Sequence, residues 1–215
     1  MKIFLDTADV EAVRRAHATG LLDGVTTNPS KVLETGKRFR DVVAEICQIT
    51  SGPVSAEPVG HSTDELIEGA VPIAAIAPNV VIKIPMTAAG LTAVPVLERE
   101  KDIRVNVTMA FSATQAWLAM KAGASYVSIV LSRLDAVANE SDLLVADAAL
   151  IRDNYGFATE IIAGSVKTQN HVLACLRAGV DIVTIPESLF FQMFKHPLTD
   201  IALAEFDKDW SKVPK

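Results

Sequence analysis

Short aliphatic runs alternate with helical patterns from one end of this chain to the other, eight times over. The runs at 2–6, 24–27, 54–59, 80–85, 104–109, 126–131, 160–164 and 181–185 read as strands. Helical spacing follows each of them, at 10–19, 39–49, 64–76, 91–99, 113–122, 141–155, 169–178 and 188–194. Ser62-Thr63-Asp64-Glu65 has the spacing of a capping box, which predicts a helix start there. Gly20, Gly123, Gly156 and Gly179 each fall between a helix and the next strand, where a left-handed C-cap belongs. Eight consecutive βα units without a linker predict a closed (β/α)8 TIM barrel. An open doubly wound sheet is the competitor. It often has a glycine-rich first turn, whereas the first turn here is Asp6-Thr7-Ala8-Asp9, and Gly-x-Gly-x-x-Gly occurs nowhere. The expectation is one domain over 1–215, with 196–215 as a C-terminal helical extension. Ile201, Leu203, Phe206 and Trp210 give that extension an apolar side, to dock on its own barrel or on a neighbouring subunit.

Composition narrows the function classes. Half of the residues are hydrophobic and only 6% are aromatic, so the core is aliphatic. At 215 residues such a core needs no disulfide or metal staple. Net charge is −6 and no basic stretch occurs, which argues against nucleic acid as a partner. The longest apolar run, 71–81, contains Pro72, Pro78 and Asn79 and is no membrane span. The chain starts directly as a strand, so no signal peptide is expected. Cys47 and Cys175 stand alone in helical patterns as core thiols, consistent with a reducing compartment, and the cytoplasm is the expected location.

Lys83 interrupts the run Val80-Val81-Ile82-Lys83-Ile84-Pro85-Met86. A lysine in a buried strand is costly, because burial disfavours the strongly hydrated ammonium form. It could snorkel from a strand end or pair with a buried carboxylate. The functional reading is a neutral amine poised to attack a carbonyl and form a Schiff base. Other polar residues lie near the strand ends: Asp6, Thr26, Thr27, Asn28, Glu57, Asn106, Thr108, Ser128 and Ser165. In a barrel that end is the functional face. Asp6 and Glu57 are the carboxylates placed to move protons for an amine nucleophile; the alternative makes them structural partners of Lys83. Asn106 and Thr108 share one face of their strand and could hold a hydroxyl or a water. Arg133 after the sixth strand, with Ser165 and Lys167 after the seventh, suggests an anion site. His17, His61, His171 and His196 lie at no metal-ligand spacing, and no metal or cofactor is expected.

Taken together, these segments resemble the small transaldolases and the fructose-6-phosphate aldolases. The likeness runs through Phe4-Leu5-Asp6-Thr7-Ala8, Gly24-Val25-Thr26-Thr27-Asn28-Pro29-Ser30, Val54-Ser55-Ala56-Glu57 and Val81-Ile82-Lys83-Ile84-Pro85-Met86-Thr87. It continues through Gly90-Leu91, Asn106-Val107-Thr108, Ala122-Gly123-Ala124, Ser132-Arg133-Leu134-Asp135, Thr184-Ile185-Pro186, His196-Pro197-Leu198-Thr199-Asp200, Phe206 and Asp209-Trp210. The resemblance implies that Lys83 is the Schiff-base lysine. It implies that Glu57 works through a water that Thr108 also holds, and that Asp6 is the acid/base at the donor hydroxyl. It also assigns Thr26, Asn28, Asn106 and Ser128 to the substrate-binding site, with Arg133, Ser165 and Lys167 on a phosphate. The implied activity is transfer of a three-carbon dihydroxyacetone unit between sugars, with release of that unit by an aldolase as the alternative. A silent sugar-phosphate-binding barrel and a pyridoxal-phosphate barrel are the other classes. The implied assembly is a pentamer or decamer. Two departures stand out: Val130 occupies a position where the family carries an aromatic ring, and Pro58-Val59-Gly60 follows Glu57. Val130 leaves extra room, for a different donor or for an anionic head group such as a sulfonate. Glu57 favours transaldolase, because the aldolases have Gln at that position.

Overall fold

The computed structural model describes residues 1–214. Strands β1 (Lys2–Asp6), β2 (Gly24–Thr26), β3 (Val54–Ala56), β4 (Val80–Pro85), β5 (Val105–Ala110), β6 (Tyr126–Val130), β7 (Glu160–Gly164) and β8 (Ile182–Ile185) are all parallel. They close into a barrel in sequence order, with β1 pairing β8. The helices are α1 (Val10–His17), α2 (Pro29–Thr35), α3 (Phe39–Ile49), α4 (Thr63–Ala74), α5 (Ala88–Pro95), α6 (Ala113–Ala122), α7 (Leu131–Asp135), α8 (Ser141–Tyr155), α9 (Gln169–Ala178), α10 (Glu187–Gln192) and α11 (Pro197–Trp210). The chain is thus a (β/α)8 barrel with an added C-terminal helix.

Period-2 alternation divides each strand between two environments. Leu5, Val25, Val54, Ile82, Val107, Val127, Ile161 and Val183 face outward and join the helices in one large aliphatic core. The alternate residues Phe4, Val81, Tyr126, Ile162 and Ile182 form a separate apolar cluster that plugs the barrel interior. Burying a side chain such as Phe4 contributes about 1.5–3 kcal/mol. Gly24 is required by that plug: a Cβ there would sit 2.6 Å from the Phe4 ring. Below the plug, Lys2 pairs with Glu160 at 2.6 Å across the N-terminal end of the barrel.

Local signals act where the sequence places them. Ser62 caps α4 in a complete capping box with Glu65. Gly123, Gly156 and Gly179 are left-handed C-caps, and Gly20 has the same positive φ two residues past the cap of α1. Other boundaries differ from expectation. β3 stops at Ala56, ahead of Pro58, which has no N–H to give a ladder. The helix expected over 91–99 begins earlier, at Ala88 under a Thr87 cap, and ends at Pro95. Pro95 cannot donate to the carbonyl four residues back, and the backbone continues as a π-turn over Val96–Glu100. Helices α2 and α7 are additions, and both stand on the C-terminal rim. α11 has no buried side chain; Leu198, Phe206 and Trp210 are 67%, 69% and 77% exposed. Its apolar side is therefore not covered by its own barrel. Among the described residues, no helix is long and apolar enough to cross a membrane.

Candidate active site

Two residues beyond the apolar plug, the same inward face lines a cleft. Asp6 follows Phe4, Lys83 follows Val81, Ser128 follows Tyr126, Gly164 follows Ile162 and Thr184 follows Ile182. All five line an opening of about 520 Å³ at the C-terminal end of the barrel. Thr26, Asn28, Glu57, Thr108, Val130, Arg133 and Ser165 line it as well.

Lys83 is largely buried on the inner face of β4. Its Nζ donates to the Thr27 carbonyl at 3.3 Å and lies 3.9 Å from Glu57 Oε2. That second distance is too long for a hydrogen bond, so the amine is steered by the carboxylate without being locked to it. Burial pushes the Glu57 carboxyl above its ordinary pKa, and the Lys83 charge draws it back only in part. The group is therefore poised to hold or give a proton nearer neutrality than a surface glutamate.

A hydrogen-bonded polar layer supports the floor. Thr26 and Thr184 hydroxyls meet at 2.7 Å, and Thr26 makes a long contact of 3.5 Å to Asp6 Oδ1. Asn106 is 0% exposed; its Nδ2 donates to Ser55 Oγ at 3.2 Å, and its Oδ1 accepts from Ser128 Oγ at 2.8 Å. Asn106 thus lies beneath the cleft and meets it through Ser128, whereas the resemblance puts it on a substrate hydroxyl. Asn28 caps α2, its Oδ1 accepting the Lys31 N–H at 3.0 Å, which leaves its amide N–H groups toward the cleft.

Arg133 reaches the rim from α7. Ser165 joins it there, with its Oγ 2.5 Å from Ser132 Oγ. Ser165 and Met109 both have positive φ, at 55° and 63°, and both border the cleft. Non-glycine residues hold that conformation only where their surroundings impose it, commonly at functional sites. Lys167 is exposed and lies outside the residues that border the cleft. The turn at Ser165 redirects the chain, and the Lys167 N–H is given instead to His171 Nδ1 at 3.2 Å. Sequence reasoning missed Thr184 and Ser55, both polar residues on inward strand faces, which the rule that found Thr26 could have found. It also missed Ser30, Lys31 and Glu34, which line the cleft from the unexpected α2.

The set amounts to a sheltered amine, two carboxylates, hydroxyls below them and a guanidinium at the rim. Such a set can carry carbonyl addition and proton transfer. Among the described residues, no cluster of three or more His, Cys, Asp or Glu is placed to hold a metal ion.

Comparison with known proteins places the chain in a family. Residues 3–214 match the family model described as Transaldolase/Fructose-6-phosphate aldolase. The chain belongs to that family. It is 49% identical to a protein of Geotalea uraniireducens and 50% identical to one of Geobacter metallireducens, each named "Probable transaldolase". It is 49% identical to "Probable transaldolase 1" of Listeria monocytogenes. In all three cases the match covers 100% of both chains. Among solved structures, thiamine phosphate pyrophosphorylase from Pyrococcus furiosus superposes with a TM-score of 0.59 over 86% of this chain and 85% of that one. At 15% identity this likeness concerns the fold alone.

Proposed function

We propose that this family member is a Schiff-base-forming transaldolase that moves a three-carbon dihydroxyacetone unit from a ketose phosphate to an aldehyde acceptor. The observation that carries the reading is Lys83: an amine on the inner face of β4, sheltered from water, loosely paired with Glu57 at 3.9 Å and open to the cleft. In its free-amine form Lys83 adds to the ketose carbonyl. A water between Glu57 and Thr108 carries protons while the carbinolamine loses water and becomes an iminium. The iminium is an electron sink for the adjacent carbon–carbon bond. Asp6 takes the proton from the donor hydroxyl, that bond breaks, an aldehyde leaves, and an enamine stays on Lys83. The enamine then adds to the acceptor aldehyde, and water releases the new ketose. Asn28 and Ser128 hold substrate hydroxyls, and Arg133 with Ser165 holds the anionic end.

Borohydride trapping tests this reading. A ketose phosphate should leave a reduced adduct on Lys83, and Lys83→Met should abolish it. No adduct favours a silent sugar-phosphate-binding barrel, and an adduct on another lysine overturns the role of Lys83. Assaying free dihydroxyacetone without an acceptor separates transferase from aldolase; abundant release sinks the transferase claim. A second reading of the substrate is favoured by Val130, which stands beside Gly164 in register on the cleft wall. A valine beside a glycine there leaves room for a donor with another head group, such as a sulfonate. A panel of phosphorylated, sulfonated and neutral ketoses decides between them.

The same proposal includes a homo-oligomer, pentameric or decameric, supported by the uncovered apolar side of α11. Sedimentation of a chain ending at Lys195 should give a smaller or insoluble species; an unchanged assembly removes α11 from the interface.

A further inference from the structure

Three helices of this barrel begin with the same double contact. At α4, Ser62 accepts the Glu65 N–H, while the Glu65 carboxylate accepts the N–H groups of His61 and Ser62. At α6, Ser112 accepts the Gln115 N–H at 3.2 Å, and Gln115 Oε1 accepts the Phe111 N–H at 2.8 Å. At α9, Thr168 accepts the His171 N–H at 3.2 Å, and His171 Nδ1 accepts the Lys167 N–H at 3.2 Å. Glu and Gln suffice at the first two starts, so capping alone does not explain a histidine at the third.

An imidazole adds a second nitrogen on the far side of the ring. His171 Nε2 stands 3.1 Å from Asp135 Oδ2, at the end of α7. With Nδ1 accepting from the backbone, the ring proton lies on Nε2 and is donated to Asp135. Asp135 is two residues past Arg133, and Lys167 is two residues past Ser165. His171 therefore ties together the two segments that bring Arg133 and Ser165 to the cleft. The 2.5 Å contact of Ser132 with Ser165 links the same segments a second time. Ser165 needs such support, because its φ of 55° is disfavoured for serine.

We infer that His171 and Asp135 form a brace that positions Arg133 and Ser165 around the anionic group of the substrate. The inference rests on the sugar-phosphate reading above and adds two positioning residues to it. Both side chains of the brace are partly exposed, so it contributes little to global stability. Its effect belongs in recognition of the anion.

The test uses His171→Gln, which keeps a capping side chain of the kind Gln115 supplies to α6, and Asp135→Ala, together with the double variant. Each is assayed with fructose 6-phosphate and with fructose, and fructose 6-phosphate binding is measured by calorimetry. KM and Kd for the phosphorylated sugar should rise about three- to tenfold in either single variant. The double variant should be no worse, while kcat and the KM for fructose change less than twofold. Equal losses with both sugars, or no loss, overturn the brace. Arg133→Met provides the reference for the parent reading. If it leaves the preference for the phosphorylated sugar intact, the anion corner itself is refuted, and the brace with it. A wild-type chain that binds the phosphate but forms no borohydride adduct refutes only the catalytic reading, and the calorimetric comparison still decides the brace.

Discussion

Replacing Asn106 with Ala should destabilise the protein well beyond the loss of one polar contact. Asn106 is wholly buried, and its two hydrogen bonds run to Ser55 at 3.2 Å and Ser128 at 2.8 Å. Each bond contributes about 1 kcal/mol net, and a hydroxyl left dry and unpaired costs about 1–3 kcal/mol more. Ser128 borders the cleft, where water can reach it; Ser55 is 1% exposed and has no such relief. The total is about 3–5 kcal/mol. For a chain of this size that lowers Tm by roughly 6–20 °C. Ser128→Ala removes one bond and should cost about 1 kcal/mol. The double variant should be little worse than Asn106→Ala, a coupling of about 1 kcal/mol, because the Ser128 bond is already gone. Denaturant midpoints and scanning calorimetry read these values. A loss below about 0.5 kcal/mol, or additivity of the two single changes, would refute the buried network. Kinetics provide a second check. Asn106 meets the cleft through Ser128, so the KM effects of the two variants should run in parallel. A KM change in Asn106→Ala alone would mean direct contact with substrate.

The burial that raises the Glu57 carboxyl pKa makes the folded state bind its proton more tightly than the unfolded state. Stability relative to Glu57→Gln should therefore fall as pH rises from the ordinary glutamate pKa through the raised one, and level off above it. A difference between the two proteins that is independent of pH would contradict this. Burial pushes the Cys47 thiol up to about 11 and the Cys175 thiol up to about 12. Both should resist alkylation at mildly alkaline pH until the chain unfolds, and rapid labelling of the folded protein would show the helices open locally. Val130→Phe should narrow the cleft beside Gly164, raising the kcat/KM preference for compact over bulky-headed donors by about tenfold. An unchanged preference would place the donor elsewhere.

The barrel was legible because its signal repeats: eight short aliphatic runs, each followed by helical spacing, leave few other ways to bury the chain. The inward polar residues were legible for a related reason, since Asp6, Lys83 and Ser128 break aliphatic runs where nothing structural asks for them. The short rim helices were not. α2 and α7 span seven and five residues, too few for a helical period to emerge; α7 starts directly where β6 ends, and only Thr27 and Asn28 separate α2 from β2. Lys31 and Glu34 were hidden with α2. Lys167 was hard to place because sequence adjacency to Ser165 gives no direction to a side chain: past the positive φ of Ser165, Val166 is buried and Lys167 is exposed. Ser55 and Thr184 stood out less because a lone serine or threonine is ordinary in a strand; only the closed barrel sets Thr184 on the cleft and Ser55 beneath it, bonded to Asn106.

Phe4, Val81, Tyr126, Ile162 and Ile182 stopper the barrel from below, which makes the cleft a blind well with a single mouth. Whatever enters must leave by the door it came through. In the transfer proposed above, a donor, its departing fragment and the incoming acceptor take turns at one threshold. The first product has to clear before the second partner can descend to Lys83. With the proposed enamine waiting on Lys83 between the two halves, such traffic predicts double-displacement kinetics, with each substrate competing for the form of the enzyme meant for the other.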